Sequence, residues 1–280
     1  MSQHERPRGA AALGIAFFAS ACLALTAAGQ SPPLTPHELD HLVARIALYP
    51  DPLLAQVLTA STYPDEIPDA AGWADEHDDL HGDALSQAAT DDSVPWDPSV
   101  LALLPFPSVL DRMSDDMAWT RALGDAVLAQ RGDVMDAVQR MRARAREYGY
   151  LRSTPDVRVV FTGGFIGIDP IRPAYLCVPV YDPAVVFARP GPGIVVGAAI
   201  VFGPGIFIAP GFVRYGWGGA GFGWRSHLLL IDRRPWGRTF ANRRIYVHPY
   251  ATPWVRPRGG RVERHQVHPG RGHEGGHDHH

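Results

Sequence analysis

Two features that define common protein classes are missing from this chain: it has only two cysteines, and it carries no net positive charge. The first absence excludes a disulfide scaffold, and the second gives no support for a nucleic-acid partner. The chain also lacks the polar composition of a wholly disordered protein, because 46% of its 280 residues are hydrophobic. This length is enough for one or two packed domains.

The formal net charge of −3 conceals two halves of opposite sign. Residues 37–150 contain 21 Asp or Glu and 8 Arg, a net charge of −13, whereas residues 151–280 contain 7 and 16, a net charge of +9. Opposite charges of this size favour contact between the halves or between copies of the chain. Self-association is therefore one of the expected interactions.

The first 28 residues have the layout of a cleaved secretory signal peptide. Arg6 and Arg8 precede the apolar run 10–28, which ends in the small residues Ala27 and Ala28. A first membrane span is the alternative, since the run is near the shortest length that crosses a bilayer. The pattern predicts export to the periplasm or the cell envelope.

The two cysteines have different predicted roles. Cys22 follows the small residues Ala19-Ser20-Ala21, as in a lipidation site, but the Leu expected three positions before the cysteine is absent. A lipid anchor at Cys22 is therefore the alternative to simple cleavage. After cleavage near residue 28, Cys177 has no partner for a disulfide within the chain, and its apolar surroundings predict a buried, unreactive thiol.

The acidic half, residues 37–150, predicts an all-α bundle. Apolar residues recur at three- and four-residue spacing over positions 39–47, and prolines at 50 and 52 separate this helix from the next. A long last helix is predicted from an N-cap at Ser114 to a C-terminal Gly149, with a kink near Gly132. Shorter helical segments are expected at 53–58, 70–76, 84–89 and 99–101.

The carboxylates of the last helix are interpreted as a charged face. Asp125, Asp133 and Asp136 lie near one helical face, but Asp125 is about 16 Å from Asp136 along a helix axis. That separation is too large for hydrolysis by paired carboxylates. Asp136 and Arg140 also have the i,i+4 spacing of a solvated helix pair.

Two pairs of histidines have the i,i+4 spacing at which side chains on one helix face can bind zinc. These pairs are His37 with His41 and His77 with His81. No Cys or third His follows nearby at ligand spacing, and Gly82 interrupts the second helix. We therefore predict no structural zinc site in the bundle.

Residues 151–187 predict a small β unit. Their apolar residues no longer recur every three or four positions, as in a helix, but at every second position, as in a strand. Val157, Val159 and Phe161 alternate along a first strand, and Gly163-Gly164 marks a turn. A second strand is predicted over 175–181. Two strands are marginal in water, so the unit is expected to pack against the helices or a partner chain.

Residues 188–254 form an apolar segment rich in Gly, Pro and aromatic residues, in which positions 191–213 carry no charge. That length would suffice for a membrane span, but three prolines and six glycines argue against one helix. A six-residue recurrence favours short strands joined by tight turns. A membrane-associated hairpin and a disordered segment are the alternatives, and Trp217, Phe222 and Trp224 would suit either a membrane interface or ordinary packing.

Residues 255–280 form an Arg- and His-rich tail that cannot bury a core, so disorder is expected. Six histidines lie in 265–280. Clustered imidazoles bind divalent transition metals such as Zn, Cu and Ni. A metal-sequestering tail and a solvated linker are the two interpretations, and no other cofactor is predicted. The candidate ligands are His273, His277, His279 and His280.

Several long blocks of the sequence resemble, in order, the bacterial domain of unknown function family 3300. These blocks are Leu39–Glu66, Trp96–Leu110, Trp119–Arg144 and Val178–Pro183. The resemblance covers most of residues 37–187. It implies an exported, envelope-associated bacterial protein, sometimes proposed to be a lipoprotein, with no assigned activity and no catalytic residues to carry over.

The predicted fold class is α+β: an N-terminal all-α bundle, a small β unit, a Gly/aromatic-rich segment and a disordered tail. We expect a non-enzymatic interaction or scaffolding module with protein or membrane partners in the cell envelope. The alternative is a hydrolase of envelope polymer whose cleft is lined by five residues of the bundle, although nothing in their spacing supplies a nucleophile with its base. Those residues are Tyr49, Asp51, Tyr63, Trp96 and Asp97.

Overall fold

Prolines divide the acidic half of the chain into short helices. The computed structural model describes residues 32–191 and 199–248. Five of the seven helices in this half carry a proline in their first turn, where its fixed φ and missing N–H fit. The helices are α1 Pro36–Val43, α2 Asp51–Ala60, α3 Ile67–Glu76, α4 Gly82–Asp91, α5 Pro98–Leu101, α6 Pro107–Asp115 and α7 Met117–Glu147.

The N-cap of the long helix α7 lies two residues later than predicted. Ser114 lies inside α6, which the sequence pattern did not separate from α7, and Asp116 is the N-cap, whose side chain accepts a hydrogen bond from the Trp119 N–H at 3.0 Å. The predicted kink is present at Gln130, whose φ of −142° and ψ of 49° are not helical. Gly149 has a φ of +80° just after the helix, as a C-terminal glycine does.

Helix α2 is the centre of the bundle. Nine of its ten residues are buried. It packs against α5 and α7, and on its other sides against strands from the second half of the chain. A helix that is apolar on all sides must be covered on all sides, so α2 supplies the core that both halves share.

The close approach of α7 to the end of α2 depends on Gly124. A Cβ added there would overlap the carbonyl oxygen of Ser61, which is backbone and cannot swing aside. Both residues are buried. The glycine is therefore required by contact distance rather than by backbone conformation.

The second half begins with a β-hairpin that packs on the helices. Strands β1 Val157–Thr162 and β2 Phe165–Pro170 pair antiparallel. The turn between them is Gly163-Gly164, whose φ values are +62° and +90°. The hairpin shares one apolar cluster with the bundle, so the expectation that it leans on the helices is confirmed. The buried members of that cluster are Leu48, Ala145, Leu151, Val157, Ile166, Ile168 and Val186.

A narrow two-stranded ribbon follows the hairpin. The single strand predicted over 175–181 is divided into β3 Tyr175–Leu176 and β4 Pro179–Tyr181. After a short α8, Pro183–Val186, strand β5 Ile200–Phe202 pairs with β4 and strand β6 Ile206–Phe207 pairs with β3. The short strands expected in 191–213 are therefore present in its described part. Tyr181 fixes the ribbon to the bundle, because its hydroxyl donates to the Ala44 carbonyl at 2.8 Å.

The last described elements close over the other side of α2. Helix α9 spans Pro210–Val213, and a three-stranded sheet consists of β7 Gly221–Gly223, β8 Leu228–Ile231 and β9 Arg234–Pro235. Strands β7 and β8 contact α2. The chain then runs back across α7, where Arg131 donates to the carbonyls of Trp236 and Arg238 at 2.9 and 2.7 Å.

The observed architecture confirms the predicted α+β class. Helices lead, small antiparallel sheets follow, and the described residues from Thr35 onward form one compact unit. Within the described ranges, no helix is both long and apolar enough to cross a membrane. The predicted signal peptide 1–28, positions 192–198 and the tail 255–280 lie outside the described residues.

Replacing Gly124 by alanine tests the packing of α7 on α2. The added methyl group overlaps backbone, so we expect the free energy of unfolding to fall by about 1–3 kcal/mol. Gly72→Ala is the matched control, since Gly72 lies inside α3 with open space around it. That change should be neutral or stabilising by up to about 1 kcal/mol in urea unfolding, because alanine favours helix. Equal effects of the two changes would contradict the assigned close approach.

Candidate functional site

A fully buried arginine organises the interior. The Arg142 side chain has no exposed surface. It donates to Asp51 Oδ1 at 2.6 Å and to the Ile166 carbonyl at 2.8 Å. It also donates to the carbonyls of Ala47 and Tyr49 at 2.8 and 2.9 Å. One guanidinium thus joins α7 to the start of α2, the loop before it and strand β2.

Asp51 uses its carboxylate in the same network. Oδ1 also accepts from the Ile168 N–H at 3.3 Å, and Oδ2 accepts from the Trp224 indole at 3.0 Å. The Trp224 ring lies 5.0 Å from the Arg142 guanidinium carbon. Both charges are compensated by hydrogen bonds, so the cluster is suited to holding the halves together rather than to binding a substrate.

A second buried cluster lies at Asp97. The His248 imidazole Nε2 donates to Asp97 Oδ2 at 2.7 Å, with both side chains about 95% buried. Asp97 Oδ1 accepts from the Ser99 N–H at 3.0 Å and from its hydroxyl at 2.6 Å, as the N-cap of α5. The last described residue of the chain is thereby fixed to the bundle.

Tyr63 and Arg238 complete this second cluster. The Tyr63 hydroxyl is 3.2 Å from His248 Nε2, and Arg238 lies 3.6 Å above the tyrosine ring. Arg238 also donates to the carbonyl and hydroxyl oxygens of Thr62. Burial raises the pKa of Tyr63 above its usual value, and the Asp97 carboxylate raises it further. The hydroxyl is therefore held in its neutral form.

The residues of the alternative hydrolase cleft are divided between buried clusters. Asp51 and Asp97 belong to the two separate clusters above. Among the cavities of the described residues, one of about 630 Å³ and one of about 550 Å³ open on the surface, and Asp51, Tyr63 and Asp97 line neither of these. The larger is a shallow depression against α7, lined mainly by exposed or half-buried side chains such as Arg146 and Phe161.

The smaller cavity is a groove with an apolar base. It lies between the α3–α4 turn, the α5–α6 connection and strand β6, and we call it the groove. Ala74, Leu85 and Leu104 form its buried base. Its volume and apolar lining are those of a binding pocket for an organic ligand or a side chain. The remaining lining residues are His77, Asp78, Leu80, His81, Gly82, Pro105, Pro107, Gly205, Ile206 and Phe207.

The histidines at the rim of the groove are held by backbone carbonyls. His77 Nδ1 lies 2.8 Å from the Trp73 carbonyl, and His81 Nδ1 lies 2.6 Å from the Leu80 carbonyl. A carbonyl only accepts, so each Nδ1 carries a proton. His77 Nε2 lies 3.7 Å from Asp92 Oδ2. The rings of His77 and Trp73 stack at 4.0 Å.

An apolar face of the ribbon adjoins the groove. Val180 and Val201 are cross-strand partners and are each 57% exposed. Tyr175 and Phe207 are also partners, with ring centroids 5.3 Å apart, and are 37% and 43% exposed. These four side chains are called the ribbon face. Phe207 lines the groove as well, so the two surfaces are continuous.

The other predicted residues have ordinary structural roles where they are described. Asp136 pairs with His227 at 2.8 Å rather than with Arg140, because Arg140 reaches Asp40 on α1. Cys177 is buried, as predicted. In the described ranges, no group of three or more His, Cys, Asp or Glu could hold a metal. Cys22, His273, His277, His279 and His280 lie outside those ranges.

Sequence reasoning singled out Asp51, Tyr63 and Asp97 but missed their basic partners in the two clusters, Arg142, Arg238 and His248. Arg142 lies four residues after Val138 and three before Ala145, so it is a charged residue on the apolar stripe of its helix. That position was an available signal of a buried ion pair. His248 and Arg238 carry no comparable signal, since their partners are more than 150 positions away along the chain.

Comparison with known proteins identifies the family. The family described as "Protein of unknown function (DUF3300)" matches residues 35–230. The chain therefore belongs to this family. It is 41% identical over 152 residues to the "Uncharacterized protein YacH" of Escherichia coli strain K12. The match covers 51% of this chain and 24% of YacH, so it spans about a quarter of that relative's length. No solved structure matches the chain.

Alkaline pH should destabilise the fold through its buried tyrosines. Burial raises the pKa of Tyr49, Tyr63, Tyr181 and Tyr246, so the folded state keeps protons that the unfolded state loses above pH 10. The chain has no lysine that titrates in the same range. We expect the free energy of unfolding to fall as the pH rises above about 10, by up to about 1.4 kcal/mol per pH unit for each tyrosine that stays protonated in the folded state.

Denaturant unfolding between pH 8 and 12 measures this slope. Tyr63→Phe should make the slope shallower, whereas Tyr175→Phe, at an exposed position, is the matched control and should leave it unchanged. A stability that does not change with pH over this range would contradict the assigned burial of these hydroxyls.

Proposed function

We propose that this chain is an exported envelope protein that works as a non-enzymatic interaction module, and that the ribbon face contacts the lipid surface. The signal-like sequence of residues 1–28 supports export. The exposed apolar pairs of the ribbon face carry the proposal of contact. Catalysis has no comparable support, because the two best-placed carboxylates, Asp51 and Asp97, are occupied by buried structural partners.

The ribbon face has the chemistry of an interfacial contact. Val180 and Val201 are cross-strand partners that each expose more than half of their surface. Exposed clusters of large apolar side chains usually mark contact surfaces. Val201 lies within the stretch 191–213, which has no charged residue, so the sequence around this pair is also uncharged.

The second pair of the ribbon face, Tyr175 and Phe207, is aromatic and has an arginine beside it. Tyr175 and Phe207 are amphipathic or apolar rings of the kind enriched at membrane interfaces. Arg172 lies 4.5 Å from the Tyr175 ring. Arginine at such positions pairs with lipid phosphate, so an anionic lipid surface fits this face better than a neutral one.

Vesicle binding by the full chain tests the proposal. The chain is expressed with its N-terminal segment in a Gram-negative host and recovered from the envelope or periplasm. Its intact mass is then measured, and we expect the mass of a chain that starts near Gly29. We expect it to sediment with vesicles of phosphatidylethanolamine and phosphatidylglycerol, and less with phosphatidylcholine alone. Val180→Gln with Val201→Gln should reduce the bound fraction several-fold.

Ile245→Gln with Val247→Gln is the matched control. These residues are 80% and 70% exposed but lie outside the ribbon, so binding should be unchanged. If the chain does not sediment with any of these vesicles at any salt concentration, the proposed lipid contact is contradicted. If sedimentation velocity instead shows a dimer that the Val180 and Val201 changes dissociate, the ribbon face contacts a second copy and not lipid.

A further inference from the structure

We propose that the groove holds the acyl chain of a membrane phospholipid, with the lipid phosphate paired with Arg172. The acyl chain lies on the apolar base, and the phosphate lies at the strand side of the groove. This site deepens the proposed lipid contact of the ribbon face and rests on it for the source of the ligand. The groove itself can be tested without a bilayer.

The base of the groove is apolar. Ala74, Leu85 and Leu104 form it, and each is at most 5% exposed. Ile206 and Phe207 add apolar side chains on the strand side. The volume of about 550 Å³ is within the range of pockets that enclose small organic ligands. An acyl chain needs no hydrogen-bond partner, and its entry removes apolar area from water, so it suits this base.

Arg172 supplies a positive charge at the strand side of the groove. Its guanidinium comes within 3.7 Å of the position that a Cβ on Gly205 would take, and Gly205 lines the groove. The same guanidinium carbon lies 4.5 Å from the Tyr175 ring. Arg172 is exposed, and among the described residues it has no carboxylate partner. An arginine without such a partner can donate two parallel hydrogen bonds to a phosphate.

Charge on the helix side of the groove orients the ligand. Asp78 lines this side on the α3–α4 turn and is exposed, with His77 and His81 on the same turn. A carboxylate repels a phosphate, so the phosphate is disfavoured beside Asp78 and favoured beside Arg172. The acyl chain is neutral, so it can lie against the helix side without this cost.

The ribbon face brings a membrane lipid next to the groove. Phe207 is 43% exposed, lines the groove and is the cross-strand partner of Tyr175 in the ribbon face. Arg172 contacts the same tyrosine ring. A phospholipid that meets the ribbon face is therefore also beside the groove, and contact with the bilayer raises its effective concentration there.

Titration calorimetry with soluble lipids tests the groove without a bilayer. The full chain is recovered from the envelope, freed of lipid and titrated with lauroyl-lysophosphatidylglycerol below the concentration at which it forms micelles. We expect one molecule to bind per chain. Dodecyl maltoside has a chain of the same length without a phosphate, and glycerol 3-phosphate has no acyl chain. Each should bind at least about tenfold more weakly, because each lacks one of the two contacts.

Two tryptophan substitutions should close the groove from different sides. Leu80→Trp fills it from the helix side and Ile206→Trp from the strand side, and each should weaken lysolipid binding at least about tenfold. Ile245→Trp is the matched control, since Ile245 is 80% exposed and lies outside the groove. Urea unfolding of each variant checks that the fold is intact.

Arg172→Gln tests the phosphate contact separately. It should weaken lysolipid binding several-fold and remove the preference over dodecyl maltoside, because it removes the charged donor. Arg158→Gln is the matched control for loss of one positive charge, since Arg158 is exposed on β1 and does not line the groove. That change should have neither effect.

The outcomes separate the groove from the ribbon face. No lysolipid binding, or binding that both tryptophan variants retain, would overturn the proposal, and so would equal binding of dodecyl maltoside. Val180→Gln with Val201→Gln should reduce vesicle binding but leave lysolipid binding unchanged. Vesicle binding without lysolipid binding therefore overturns the groove site alone. Lysolipid binding without vesicle binding supports the groove site and contradicts only the lipid contact of the ribbon face.

Discussion

The fold depends on one buried charge pair. Arg142 and Asp51 are taken out of water together, and the cost of doing so is met only because hydrogen bonds satisfy both groups. Those bonds come from the loop before α2, from strand β2 and from Trp224. Since these partners belong to both halves of the sequence, the hairpin and the later sheet can be placed only where Arg142 and Asp51 are paired.

This constraint leaves both oxygens of the Asp51 carboxylate occupied by structural partners. Asp97 is bound by His248 and by the N-terminus of α5, so the second conspicuous carboxylate is also occupied. Phe207 belongs to both the groove and the ribbon face. Arg172 also lies beside both, near Gly205 of the groove and 4.5 Å from the Tyr175 ring.

The elements that could be predicted from the sequence are those specified locally. The proline break between α1 and α2, the Gly163-Gly164 turn and the Gly149 stop all act within a few residues, and each is present as predicted. The N-cap of α7 was placed at Ser114 because α6 and α7 are separated by one residue, too short a break for an apolar pattern to reveal. The groove could not be predicted, since its base comes from α3, α4 and the α5–α6 connection and its wall from β6. Only tertiary packing brings these segments together.

A double-mutant cycle on Arg142 and Asp51 tests the central claim most directly. Arg142→Met alone and Asp51→Asn alone should each lower the free energy of unfolding by about 3–5 kcal/mol, because each leaves a buried group without its partner. The double variant should lose clearly less than the sum, and amide exchange in β1 and β2 should rise before exchange in α3 and α6. Additive losses, or single variants as stable as the parent chain, would contradict a fold held together at this pair.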